Sequence, residues 1–176
     1  MKRTRVVIFD QAPMYRVLKK NPRLEVSINH SGEEAIAALE RKPAEIIIVD
    51  LSTPFEKGGI LCCGDGLKEL FQKRKEDPTF EFDHFDTVYP KESPAEKFLR
   101  TAKERGLLNS AKIILMSGIG DFENSKSETS RFRKPYGVKY VMSTFSCKHD
   151  RDDRLKKIVD KCLKIKHRTR AKVKSK

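Results

Sequence analysis

Short apolar runs alternate with longer amphipathic stretches along this chain of 176 residues. Runs of strand-forming residues occupy 5–9, 45–50, 112–118 and 138–143, and 24–28 alternates apolar with polar positions as a strand with one wet face does. The run EIIIVD at 45–50 is apolar on consecutive positions, which is typical of a central parallel strand covered on both faces. Five strands are therefore predicted.

The stretches between these strands carry apolar residues at helical spacing. Pro13 suits a first helical turn, and Met14, Val17 and Leu18 follow it at positions i, i+3 and i+4. Ser31 stands at capping-box spacing from Glu34, and Ser93 with Pro94 forms a similar start signal. Helices are predicted over 12–20, 31–42, 64–75, 93–108 and 152–165, with a short helix and loop within 121–137.

This order of strands and helices predicts an α/β fold, a flavodoxin-like, doubly wound, five-stranded parallel sheet with helices on both faces. Residues 1–165 form the predicted domain, with an insertion of about 72–110 between the third helix and the fourth strand. Residues 166–176 form a basic tail.

Two segments lie outside the regular alternation. The segment 77–93 places four aromatic residues among acids, which suits either a docking surface for a partner or a loop whose aromatic rings fold back onto the domain. The segment 58–66 is rich in glycine, which suits either a loop that covers the end of the sheet or a plain connector.

The formal net charge is +13, and much of the excess is near the end of the chain. Residues 161–176 contain eight Lys or Arg and no acid. Such a segment binds phosphate backbones or anionic surfaces, or is simply solvated. It has no interleaved aromatic residues and the chain shows no helix-turn-helix pattern, so nucleic-acid binding there would be nonspecific and salt dependent.

The four cysteines show no CxxC spacing, which argues against a zinc site. No apolar run approaches the ~20 residues that span a bilayer, and the run near the start is too short for a signal peptide. The sequence therefore predicts a cytoplasmic protein without a membrane span, whose adjacent Cys62 and Cys63 are reduced thiols.

Polar side chains end three of the predicted strands, namely Asp10, Asp50 and Ser117. One such Asp alone would be read as a helix cap or a turn residue. Three together fit a shared site, because ligands of these folds bind at the carboxyl ends of the strands. Two neighbouring carboxylates repel each other unless a cation joins them, and Mg²⁺ prefers oxygen ligands of this kind.

The segments that carry these residues resemble the receiver domain of two-component response regulators. The resemblance covers about 5–165 and rests on the order of five segments: RVVIFDQAP, IIIVDLSTP, GDGL, IILMSG and GVKYVMSTF. It implies that Asp50 is the phosphoacceptor for a histidine kinase and that Asp10 and Asp50 bind Mg²⁺. It also implies that Ser117 senses the phosphoryl group and that Tyr140 lies near the position of a switching aromatic residue.

The chain departs from the family at two positions of the site. Gln11 stands where the family has a second acid, and Ser143, followed by Thr144, stands where the family has a lysine and a proline. Lys134 and Pro135 copy that dipeptide, but they precede the fifth strand. Lys148 is close enough in sequence to substitute for the lysine.

The predicted function is a stand-alone, atypical receiver that acts through protein contacts with a histidine kinase or another signalling protein. Both a phosphorylated and a phosphorylation-independent version fit the residues. Nonspecific binding of nucleic acid or of an anionic surface through the basic residues of 161–176 is the alternative. We do not expect an enzyme, since an aspartate-dependent phosphatase of similar topology needs Asp-x-Asp, and Ser52 occupies the second acidic position.

Overall fold

The computed structural model of this chain describes a set of ranges that includes all five predicted strands. The described residues are 3–10, 15–51, 53, 55–56, 76, 93–117, 126–143 and 152–163. The predictions for Gln11, for the helix over 64–75, for the segments 58–66 and 77–93 and for the tail 166–176 lie outside them.

The described part of the chain contains one five-stranded sheet in which every neighbouring pair is parallel. Its order is β2-β1-β3-β4-β5, so β3 is central and β2 and β5 are the edges. The strands are β1 (Thr4–Phe9), β2 (Leu24–Asn29), β3 (Ile46–Asp50), β4 (Lys112–Ser117) and β5 (Val138–Ser143). The flavodoxin-like fold class and the five strands are confirmed.

Helices cover both faces of the sheet, as the alternation predicted. They are α1 (Arg16–Lys19), α2 (Gly32–Arg41), α3 (Pro94–Glu104), α4 (Lys126–Tyr136) and α5 (152–163). The first helix is short, and Pro13 and Met14 lie outside the described residues. None of the helices in the described ranges is both long and apolar enough to cross a membrane.

Two apolar clusters hold these helices to the sheet, one on each face. The first packs α2, α3 and α4 against alternate residues of the central strands, such as Phe9, Val49 and Leu115. The second packs α1 and α5 against the opposite set, such as Ile8, Ile48 and Met116. The period-2 alternation of a strand produces this division, because successive side chains point to opposite faces.

The helix that precedes β4 is part of the core. The Phe98 ring of α3 lies 5.0 Å from the Phe9 ring between centroids, and Phe98 is fully buried. Ser93 and Glu96 form the capping box that starts α3, and both Glu96 carboxylate oxygens accept from Arg131 of α4 at 2.7 Å. The predicted insertion of about 72–110 therefore includes a core helix, and its residues 72–75 and 77–92 lie outside the described part of the chain.

A buried arginine at the start of β1 closes the carboxyl end of α2. The Arg5 guanidinium donates to the carbonyls of Ala38, at 2.9 Å, and of Lys42, and Arg5 is 9% exposed. A helix ends with carbonyls that have no partner within the helix, so an arginine at this position satisfies them and neutralises the dipole. The main-chain N–H of Arg5 also donates to Glu45 at 2.6 Å.

We predict that Arg5→Met destabilises the fold by about 1–3 kcal/mol, because methionine keeps the apolar stem and removes the charged donors. The free energy of unfolding from urea denaturation measures this. Arg41→Met in the same helix is the matched control, since Arg41 is exposed, and it should change stability by less than about 0.5 kcal/mol. Equal losses in both variants would contradict the role of Arg5 as a helix cap.

Candidate functional site

The strand ends bring the predicted acidic residues to the same edge of the sheet. Phe9 of β1 pairs with Val49 of β3, so Asp10 and Asp50 follow at the same level on neighbouring strands. Asp50 pairs in turn with Met116 of β4, one residue before Ser117. Both carboxylates are buried, with 4% of Asp10 and 8% of Asp50 exposed. A shared acidic site at the carboxyl edge is what the resemblance implies.

The Asp10 carboxylate accepts a hydrogen bond from a buried tyrosine. Tyr15, just before α1, is 1% exposed, and its hydroxyl donates to Asp10 Oδ2. The Sδ atom of Met116 lies 3.6 Å from the same hydroxyl oxygen. The phenol therefore spans from α1 to β4 beneath the acidic edge. It satisfies a buried carboxylate with a neutral donor, where a receiver is expected to use a cation.

The Asp50 carboxylate also accepts a hydrogen bond from a hydroxyl group. Thr53 is fully buried, and its Oγ1 donates to Asp50 Oδ2 at 3.1 Å. The spacing of three residues places the hydroxyl over the end of its own strand, as in the turns that Asp and Thr form locally. The main-chain N–H of Leu51 donates to the Met116 carbonyl at 3.0 Å, which extends the pairing of β3 and β4 beyond Asp50.

The chain that leaves Asp50 is fixed against the start of α2. The Phe55 carbonyl accepts from the Glu33 N–H at 3.1 Å, and the Lys97 ammonium lies 4.6 Å from the centre of the Phe55 ring. Gly32 leaves room for that ring, because a Cβ there would lie 2.3 Å from Cδ2 of Phe55. Three contacts thus hold the described part of this loop beside the site.

Two serines face each other on β4 and β5. Ser117 pairs in register with Ser143, Ser117 is fully buried and Ser143 is 6% exposed. Leu115 and Val141 lie on the face of the sheet that α2, α3 and α4 cover. Because side chains alternate between faces along a strand, Ser117 and Ser143, two residues further on, lie on the same face. Ser143 therefore lies at the end of β5 where the family resemblance expects a lysine. Thr144 and Lys148 lie outside the described residues.

The copied Lys-Pro dipeptide lies at the opposite end of the domain. Lys134 and Pro135 form the last turn of α4, and β5 begins two residues after that helix ends. Both residues therefore lie at the edge of the sheet where the strands begin, as expected from their position before β5 in the sequence. Lys134 is exposed and cannot reach Ser117 or Asp50 from there.

Tyr140 of β5 packs on the face of the sheet that α1 and α5 cover, opposite to Ser117 and Ser143. It is partly buried and packs against the cluster formed with α1 and α5, to which Cys162 of α5 also belongs. Burial raises the pKa of both the Tyr140 hydroxyl and the Cys162 thiol above their ordinary values. A neutral, buried thiol is a poor nucleophile, so Cys162 serves packing. The switching role of Tyr140 stays a prediction.

Sequence reasoning passed over Tyr15 and Thr53, the two hydroxyl donors of the site. A signal for Tyr15 was present, since it precedes Leu18 by three residues and so shares a helical face with a core position. Thr53 lies between two polar or turn-forming residues and looks like any loop threonine. Their partners are set by tertiary packing, which the spacing alone does not encode.

The described residues offer a cation two carboxylates, and both accept hydroxyl hydrogen bonds. Among the described residues, no group of three or more His, Cys, Asp or Glu side chains is arranged to hold a metal ion. Mg²⁺ demands near-ideal octahedral oxygen ligation. Asp10 and Asp50 would be its ligands, and the ion would share them with the Tyr15 and Thr53 hydroxyls, each of which takes one acceptor site on an Oδ2 atom.

We predict that Tyr15→Phe lowers the free energy of unfolding by about 1–3 kcal/mol, because the buried Asp10 carboxylate loses a donor. The Asp10→Asn variant should cost a similar amount. The double variant should cost less than the sum by about 1 kcal/mol or more, since the two changes remove one interaction. Urea denaturation of the four proteins gives this coupling energy. Additive losses would mean that the hydroxyl and the carboxylate do not interact.

Comparison with solved structures shows the receiver fold. The signal receiver domain of a LuxO repressor protein from Vibrio parahaemolyticus superposes with a TM-score of 0.56 and 17% identity, over 99% of this chain and 96% of that one. A structure of the P1 domain of CheA3 with CheY6 from R. sphaeroides gives 0.53 and 19%, over 93% and 98%. CheY4 of Vibrio cholerae gives 0.53 and 12%, over 89% and 99%.

No protein-family model matches the chain, and no curated protein sequence matches it. At these identities the structural similarity establishes the fold and leaves the function to be argued from the site. The chain has the five-stranded parallel architecture of response-regulator receiver domains.

Proposed function

We propose that this chain is a receiver-like signalling domain that acts through protein contacts and does not depend on phosphorylation of Asp50. The hydrogen bond from Tyr15 to Asp10 carries the proposal. It supplies, from within the fold, the partner that a buried carboxylate needs. We also propose that the domain acts in the cytoplasm and has no catalytic activity of its own.

Phosphoryl transfer to an aspartate depends on positive charge around the acceptor. The incoming group carries negative charge, and the site must hold and neutralise it as the bond forms. Here the described donor to the Asp50 carboxylate is the neutral Thr53 hydroxyl. Ser143 contributes a neutral hydroxyl at the end of β5 instead of an ammonium. Each replacement weakens the stabilisation of the transferred group.

The same contacts give the site a stable structure without a ligand. Asp10 is held by α1, Asp50 by its own loop, and that loop by α2 and α3. Mg²⁺ would compete with the Tyr15 hydroxyl for Asp10 Oδ2, and a phosphoryl group would compete with the Thr53 hydroxyl for Asp50 Oδ2. These two hydrogen bonds therefore favour the unmodified state.

A protein partner is part of the proposal. The R. sphaeroides structure pairs CheY6 with the P1 domain of CheA3, which supports a protein of a signalling pathway, such as a histidine kinase, as the partner here. The alternative, nucleic-acid binding through 161–176, depends mainly on residues 164–176, which lie outside the described part of the chain.

We predict that the protein incubated with Mg²⁺ and acetyl phosphate acquires no phosphoryl group, because in the described part of the site hydroxyls donate to both carboxylates and Ser143 ends β5 where a lysine is expected. Intact-mass spectrometry under non-acidifying conditions measures this directly. Asp50→Asn is the matched control, and its spectrum should be identical to that of the wild type. A phosphoryl adduct in the wild type that is absent from Asp50→Asn would overturn phosphorylation independence and support Asp50 as the phosphoacceptor.

A further inference from the structure

A group of cations lies at the edge of the sheet opposite the acidic site. Arg133 and Lys134 lie in the last turn of α4, Lys139 is the second residue of β5, and Lys161 lies in the last turn of α5. All four side chains are exposed. We call these four residues the basic edge. The parallel topology gathers them, because helices end where the next strands begin.

The basic edge is continuous across three elements. Gly137, in a left-handed conformation, is the one residue between α4 and β5, and its N–H donates to the Arg133 carbonyl at 3.0 Å. Lys139 lies close enough to α5 to influence the Cys162 thiol electrostatically, and Cys162 is next to Lys161. The four cations therefore border one surface around the start of β5.

Within the described ranges, these cations differ from those on the α2–α3 side, which have acidic partners. There, Lys42 pairs with Glu25 at 2.6 Å, Lys97 with Glu56 at 2.5 Å and Arg105 with Glu40 at 2.6 Å. At the basic edge, no carboxylate of the described ranges lies within ion-pair distance of any of the four. Asp160, beside Lys161 in sequence, lines the groove between α1 and α5 with Lys20 and Lys156.

Helix stabilisation does not account for this charge. Cations are favoured at a helix carboxyl end because it carries about half a negative charge. The ends of α4 and α5 together would be balanced by about one cation, and Lys112 already donates to the Cys162 carbonyl at the end of α5 at 2.5 Å. The remaining positive charge faces solvent, where it attracts a polyanion.

We propose that the basic edge binds the phosphate backbone of double-stranded nucleic acid without sequence preference. A protein partner is disfavoured because the described residues give the edge no apolar centre of the kind that interfaces bury: Val138 is buried and Tyr136 packs into the core. The described residues likewise present no aromatic ring there for stacking on single strands and no apolar side chain for insertion into a bilayer. A surface of flexible cations without apolar or aromatic groups suits the regularly spaced phosphates of a duplex.

The chain beyond the basic edge extends the same charge. Residues 164–176 follow directly from α5, and together with Lys161 they complete the run of eight cations without an acid. The proposal differs from binding by that segment alone, because it assigns part of the affinity to folded residues on α4 and β5. It does not depend on whether Asp50 accepts a phosphoryl group.

Fluorescence anisotropy of a labelled DNA duplex of mixed sequence, measured over a series of NaCl concentrations, tests the proposal. The triple variant Lys134→Gln, Lys139→Gln, Lys161→Gln should weaken binding at low salt at least about tenfold. Its log–log salt slope should be shallower than that of the wild type by about 2–3, since each phosphate contact contributes about 0.9.

The matched control is Lys42→Gln, Lys97→Gln, Arg105→Gln, which removes the same charge from the paired side and should leave the slope within about 0.5 of the wild type. Circular dichroism checks folding, and the single exposed change Lys139→Glu provides a second variant that should also weaken binding. Equal losses in both triple variants would mean that net charge alone acts and would overturn the proposal. No loss in the first triple, no duplex binding by the wild type, or binding to phosphatidylserine vesicles in place of the duplex would overturn it as well.

Discussion

The fold places two carboxylates in a buried position, and everything at that edge of the sheet follows from the need to satisfy them. A buried carboxylate without a partner is expensive, and two side by side are more so. Parallel strands in register make this arrangement unavoidable once Asp10 and Asp50 end neighbouring strands. In the described part of the chain, neutral hydroxyls from Tyr15 and Thr53 donate to these carboxylates.

The choice of a hydroxyl over a cation has consequences for function. Carboxylates paired with a metal ion and a lysine form a site whose positive charge attracts an incoming phosphoryl group. Carboxylates that accept hydrogen bonds from hydroxyls have their partners without such a group. The substitution of a lysine by Ser143 fits the same pattern, because Ser143 and Ser117 face each other as two neutral hydroxyl-bearing residues.

The sequence was sufficient for the architecture. The run at 45–50 predicted a central strand and β3 is central, and the alternation at 24–28 predicted a strand with a wet face and β2 is an edge. These predictions succeed because burial imposes a period on each element. The start of α3 was also readable, since Ser93 and Glu96 carry their capping signal locally.

The partners of the site residues were not readable in the same way. Placing Asp10, Asp50 and Ser117 at one edge needed only strand ends and topology, but the Tyr15 hydroxyl reaches Asp10 through the packing of α1 on the sheet. The sequence likewise did not show that α3 belongs to the core. Residues 51–93 separate α3 from β3, and the spacing of apolar residues does not indicate which helix packs on the sheet.

Nuclear magnetic resonance with a Mg²⁺ titration tests the central claim most directly, that Tyr15 takes the place of a cation at Asp10. The account predicts that the amide signals of Asp10 and Asp50 do not move in the wild type at about 10 mM Mg²⁺, and that Tyr15→Phe gains a saturable shift at both. Saturable shifts of both signals in the wild type over that range would contradict the account, because the two carboxylates would then hold a cation despite the tyrosine.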